Sequence, residues 1–107
     1  MTKPLSRKQL EVEDRKHWID ATIQSIKEAR YFSMAEWDSC IGYHCHKVSG
    51  NRMLLSVDNI LHTVAERFHI STLNAYDLCA STAAQCANRK DAIRTLEHLR
   101  DTGEVIW

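Results

Sequence analysis

Two stretches of the chain carry side chains with chemical reach. The run Cys40-Ile41-Gly42-Tyr43-His44-Cys45-His46 concentrates thiols and imidazoles. On a helix, Cys40 and His44 stand at i and i+4, a spacing that sets two ligands on one zinc ion, and Cys79, Cys86 or His69 would have to complete the tetrahedron. No C-x-x-C pair accompanies them, and cysteine is most often a small buried hydrophobe. The expectation is therefore four free thiols, a core histidine at position 44, no metal and no cofactor. A Cys–His nucleophile would need a depressed thiol pKa and an oriented base, neither of which spacing supplies. The chain contains no G-x-x-x-x-G-K-S/T, H-E-x-x-H, G-x-S-x-G or G-x-G-x-x-G, and no enzymatic activity is expected.

The second stretch begins at Asn88. With 88–102 as a helix, Asn88 caps it, Arg89, Lys90 and Arg94 occupy its exposed N-terminal half, and His98 follows one turn later. Arginine hydrogen-bonds bidentately to guanine in a major groove, while lysine and a helix N-terminus hold phosphates. The same helix turns acidic at Glu97 and Asp101. Lys90, Arg94, Glu97 and Asp101, at offsets of 4, 3 and 4, also describe a solvated stripe of mixed charge.

These residues are carried by 107 positions, enough for one domain with a helical extension. Fourteen Lys+Arg balance fourteen Asp+Glu, so no overall field draws the molecule to a polyanion and any such contact must be local. With 44% hydrophobic and 26% charged residues a packed core is expected, and three Gly and one Pro are too few for a turn-rich β-fold. No apolar run approaches the roughly 20 residues that cross a bilayer, and the start, Met1 to Lys8, leads into charge rather than a signal-peptide core. A mainly α-helical cytoplasmic protein that does not engage a membrane is the expectation.

Helical signals divide the chain into five segments. Ser6-Arg7-Lys8-Gln9 has the form of a capping box and opens a segment reaching Tyr31. Val12, Ile19, Ile23 and Ile26 share one face, Leu10 and Trp18 flank it, and Arg15, Lys16, Asp20, Lys27 and Glu28 are assigned to the other. At about 26 residues this helix would be ~39 Å long, so it either breaks near 14–17, projects to pair with a second copy, or folds back on 34–48. Ser33 to Glu36 repeats the cap pattern and predicts a helix to Lys47 with Met34, Trp37, Ile41 and His44 or Cys45 inward, ended by Ser49-Gly50-Asn51. A third helix is expected over 54–68, with Val57, Leu61, Val64, Ala65 and Phe68 at helical spacing. His69-Ile70-Ser71 is short and β-branched in the middle. Thr72 or Asn74 would cap a helix over 75–82 with Leu78 inward, followed by a break through 83–87. The last helix starts at Asn88, with Asp91 near its positive end, and buries Ala92, Ile93, Leu96 and Leu99. Thr102-Gly103 stops it, and Glu104-Val105-Ile106-Trp107 is β-prone.

The run Ala75-Tyr76-Asp77-Leu78 together with Asn88 to Ile106 resembles the helix-turn-helix half of a winged-helix protein. Leu96, Leu99, Gly103 and Val105 fit in register the L-x-x-L-x-x-x-G-x-[VI] with which recognition helices of that family end. The stretch between Leu78 and Ile93 is longer than the family's tight turn, and at most one wing strand follows, as in short-wing or wingless members. The resemblance implies an N-terminal helical pair over 1–50, a trihelical winged-helix-like domain over 51–107 with a short strand over 68–71, and a vestigial strand at the end. It further implies a small regulator that occupies a double-stranded DNA operator as a homodimer. Asn88, Arg89, Lys90, Arg94 and His98 would meet the DNA, and Trp18, Ile19, Ile23, Ile26 and Trp107 the second copy. The rival expectation is an inhibitor or adaptor of phage or plasmid type that covers another protein with the same helices. Zero net charge and the acidic end of the last helix fit that role.

Overall fold

The computed structural model describes residues 6–36, 39–50 and 56–107. They form α1 (Arg7–Glu28), α2 (Ile41–Val48), α3 (Val57–Phe68), α4 (Thr72–Ala80), the four-residue α5 (Thr82–Gln85) and α6 (Arg89–Thr102). The chain is mainly α-helical, as its composition implied. No helix among the described residues is long and apolar enough to cross a membrane.

Helix starts follow local chemistry. Ser6 Oγ accepts from Gln9 N at 3.2 Å and Gln9 Oε1 accepts from Ser6 N at 2.9 Å, which satisfies two of the donors a helix leaves unpaired at its start. Asn88 and Asp91 form the same reciprocal pair on α6. Ser56, Ser71 and Ser81 cap α3, α4 and α5 through their hydroxyls. The cap of α4 is thus Ser71, rather than Thr72 or Asn74, and α4 begins earlier than expected.

Three expectations fail. The predicted helix from Met34 is missing its first half, because α2 starts only at Ile41 with Cys40 as its N-cap. Ser33 Oγ accepts from Ala35 N at 3.2 Å, and Ser39 returns to Ser33 O and Glu36 O. These hydroxyls satisfy the backbone as a turn, the usual competitor of a helix start at serine. Met34 is nevertheless buried, while Trp37 and the predicted start at Leu54 lie outside the described residues. The strand expected over 68–71 is replaced by a helix end. His69 takes the left-handed conformation at φ 52°, ψ 49°, and the N–H of Ile70 reaches back to Ala65 O at 3.1 Å. The terminal residues 104–107 form no strand either; they fold back, with Thr95 Oγ1 donating to Ile106 O at 3.3 Å and Trp107 Nε1 to Asp77 O at 2.9 Å. A wing strand needs a neighbour to pair with, and this tail packs Val105 and Trp107 on the helices instead.

One core joins both halves of the chain. Ile19, Ile23 and Ile26 of α1 meet Ile41 and Cys45 of α2, Ile60, Val64 and Phe68 of α3, Leu78 of α4 and Leu96 and Leu99 of α6 in a single cluster. The expected boundary near residue 50 therefore does not separate two cores. The helix against which α6 packs is α1, so the last helix leans on the N-terminal segment that was expected to be an extension. α1 is unbroken through 14–17 and packs against α2, so of the three courses open to it from sequence it folds back on the segment that follows. A Cβ at Gly42 would lie 2.4 Å from Ile60 Cγ2, so only glycine lets α2 approach α3 this closely.

Candidate functional site

The N-terminal end of α6 is exposed and basic. Its capping box fixes Asn88, whose Oδ1 accepts from Asp91 N at 2.8 Å, so this side chain is committed to the helix start. Lys90 and Arg94 point outward, and Arg94 Nη2 pairs with Asp91 Oδ1 at 2.9 Å. Arg89 is half-buried, and its charge, after that of Lys47, bears on His44. Among the described residues Lys47, Arg89 and Lys90 have no ion pair. An open groove of about 550 Å³ runs over this face, bordered by Arg89, Lys90, Ile93, Arg94 and Glu97. Ile93, expected in the core, is half-buried at its floor.

His98 follows Arg94 by one turn, about 40° round the helix from it, and is half-buried. Its Nε2 is buried without a described partner, so this nitrogen is not presented to a ligand across the basic face.

His44 is 2% exposed, with Nδ1 2.8 Å from Ser25 Oγ on α1. Burial, then the charges of Lys47 and Arg89, lower its pKa from the ordinary 6.5 to about 4, so the ring is neutral at pH 7. Its Nε2 is buried with no partner among the described residues, which leaves the Ser25–His44 pair without a described third group of the kind that orients a catalytic base. The thiols are equally quiet. Cys40, Cys45 and Cys79 are buried and in no disulfide among the described residues, and burial pushes Cys45 up to about 12 and raises Cys79 well above the ordinary thiol value.

The cysteine and histidine residues that spacing grouped are dispersed. His44 pairs with Ser25, His69 Nε2 lies 2.7 Å from Asp14 Oδ2, and Cys86 is exposed at the end of α5. Cys40 and Cys79 do approach the same point, their sulfurs 3.6 and 3.5 Å from where a Cβ on Gly42 would stand. Among the described residues no group of three His, Cys, Asp or Glu is placed to hold a metal ion.

The expected dimer residues are largely interior. Ile19, Ile23 and Ile26 are exposed by 0%, 6% and 0%, because α1 folds across α2, α3 and α6 and buries its own stripe. They have no surface left for a second copy. Trp18 is half-buried beneath the Arg67 guanidinium, 4.6 Å from its ring, and half-buried Trp107 is tied to α4 through its indole N–H.

No protein-family model, curated protein or solved structure matches this chain. What the site can do rests on its geometry.

Sequence reasoning missed Arg15 and misplaced it on the outer face. Its Nε donates to Phe68 O at 2.7 Å and its Nη2 to His69 O at 3.1 Å, across the end of α3. The guanidinium also stands 3.1 Å from where a Cβ on Gly103 would be, so one charge serves the C-terminal ends of both α3 and α6. The signal was available, since Arg15 precedes Ile19 by four positions and continues the buried stripe.

Proposed function

We propose that the chain is a small DNA-binding protein that engages the duplex with the N-terminal end of α6 and regulates by occupying an operator. The observation that carries this reading is the gathering of Arg89, Lys90 and Arg94 around one open groove at the exposed, positive end of the α6 dipole, in a molecule whose net charge is zero. Arg89 and Lys90 have no ion pair among the described residues, and Asp91 serves the capping box and Arg94. Glu97 closes the groove and Asp101 lies further along the helix, so contact is confined to the first two turns, with phosphates held by Arg89 and Lys90 and base edges within reach of Arg94. The tail, folded back through Ile106 and Trp107, adds no wing contact.

Binding of a labelled random duplex, followed by fluorescence anisotropy as salt is raised, tests this reading. The expected log–log slope is about −2 to −3, and Arg89→Ala with Lys90→Ala should flatten it by about 2. A chain that leaves the duplex free even at low salt refutes the proposal.

A second reading has its own support. The groove over Ile93 is walled by the aliphatic stems of Arg89, Lys90 and Arg94 and ends at Glu97, which suits an apolar side chain of a partner protein flanked by charges of both signs. Binding that Ile93→Glu abolishes and salt leaves unchanged would select it over DNA.

A further inference from the structure

We infer that the groove on α6 is a binding site for a compact aromatic anion, a carboxylate or sulfonate whose ring lies on Ile93 and whose charged head sits between Arg89 and Lys90. The site goes beyond the DNA reading and does not rest on it, although both draw on the same cations. The groove measures about 550 Å³, within the roughly 300–1,000 Å³ of small-molecule sites. Of the described residues that border it, Arg89, Lys90, Arg94 and Glu97 are charged, yet its lining is mostly carbon. The side-chain stems and Ile93 supply the inner surface, and the charged heads stand at the rim.

Helix geometry orders these groups. At 100° per residue Arg89, Ile93, Glu97, Lys90 and Arg94 fall in that order across an arc of about 140°. Ile93 follows Arg89 by four positions and Lys90 by three, so it is the surface neighbour of both, one turn further along. Glu97 lies one turn beyond Ile93, on the side away from those two cations. The groove is therefore polarised along the helix: cationic near the positive end of the dipole, apolar in the middle and acidic at the far end. An anionic head is drawn to the first position and repelled from the last. Arg94 is already engaged by Asp91 at 2.9 Å, whereas Arg89 and Lys90 have no ion pair among the described residues. The head thus takes those two, and Arg94 contributes its stem to the wall. One helical turn, about 5.4 Å, separates head from body. That spacing suits a ring bearing its own acid group, while a long acyl chain would run onto Glu97. A bare phosphate would gain nothing from Ile93, and cations beside a ring face favour an aromatic body over an aliphatic one.

Fluorescence of anilinonaphthalene sulfonate, held dilute while the full chain is raised to about 1 mM in the absence of DNA, tests the site and reads its failure separately from that of the DNA reading. The expected result is saturation with a dissociation constant of about 100 μM. Arg89→Gln with Lys90→Gln, which keeps part of each stem, should weaken the sulfonate about tenfold and leave phenylnaphthylamine, the same rings without the acid, within about twofold of its wild-type affinity. Ile93→Ser should weaken both dyes about threefold or more. All three residues are exposed or half-buried, and circular dichroism should show the variants folded. A wild-type chain that does not saturate overturns the inference, as does sulfonate binding that survives the Gln pair or is indifferent to Ile93→Ser.

Discussion

From Trp18 onward α1 buries Ile19, Thr22, Ile23 and Ile26 among four other helices, and Ser25 reaches the buried His44. From Arg7 to Asp14 the same helix buries nothing fully, and its attachments are polar: Asp14 to His69, and then Arg15 to the end of α3. The backbone is continuous across the two halves because the capping box and the lack of Gly or Pro act locally. Helix formation and attachment to the fold are therefore separate matters. Propensity and a cap shape the whole of α1, but apolar burial anchors only its second half. The first half is held by charge-assisted hydrogen bonds and keeps a face open.

Substitutions should reproduce this asymmetry. The largest effect is expected from Ile26→Ala, which empties a fully buried site and should cost about 2–5 kcal/mol in urea unfolding. A cost under about 1 kcal/mol would mean that the second half of α1 is not the anchor. Next comes acid. His44 has a folded pKa near 4, below its ordinary 6.5, so between these values the unfolded state binds more protons. Stability is full above pH 6.5 and falls as pH drops toward 4, by up to about 3 kcal/mol at 1.36 kcal/mol per unit. In His44→Gln this part of the acid response should vanish, which comparing unfolding midpoints at pH 7 and pH 4.5 would reveal.

Arg15→Ala should cost about 1–3 kcal/mol, since it leaves Phe68 O and His69 O without their donor, and Arg15→Lys should recover little because an ammonium lacks the fork that spans both carbonyls. Amide exchange in residues 8–14 should quicken in the same variant while that of residues 19–26 stays slow, unless the polar clamp is not what holds the first half. The smallest effect is that of Leu10→Ala, within about 0.5 kcal/mol in dilute protein, where its exposed side chain supports no fold contact. A larger loss would show that the overhang is part of the core.

Legibility in the sequence followed distance along the chain. The capping box at Ser6, the cap at Asn88 and the stop at Gly103 were readable because each involves residues within four positions of one another. The stripe of Ile19, Ile23 and Ile26 was readable as apolar, but whether a second copy or α2, α3 and α6 would cover it was not. Ser33 looked like a cap and became a turn, because the competing hydroxyl bonds differ little in energy and packing around Met34 and Cys40 chooses between them. The short strand over 68–71 was implied by the winged-helix resemblance rather than by the residues themselves. A helix end clamped by Arg15 from more than 50 positions away took its place. In the candidate site, Arg89, Lys90 and Arg94 were found from their places on a helix. The burial of the His98 Nε2 was not, since it depends on neighbours from other elements.

The sequence by itself determined where most helices begin and end, that they carry apolar faces, and that the basic residues cluster at the start of the last one. Those properties arise from backbone donors, side-chain caps and a 3.6-residue period, all of which act within a turn or two. The tertiary structure alone decided that Arg15 is an inner residue, that His44 is a neutral base with a pKa near 4, and that the last four residues lie against helices. It also decided which half of α1 stays uncovered. Each of these is set by desolvation and by partners brought from distant positions, and a local pattern cannot encode which distant group will arrive.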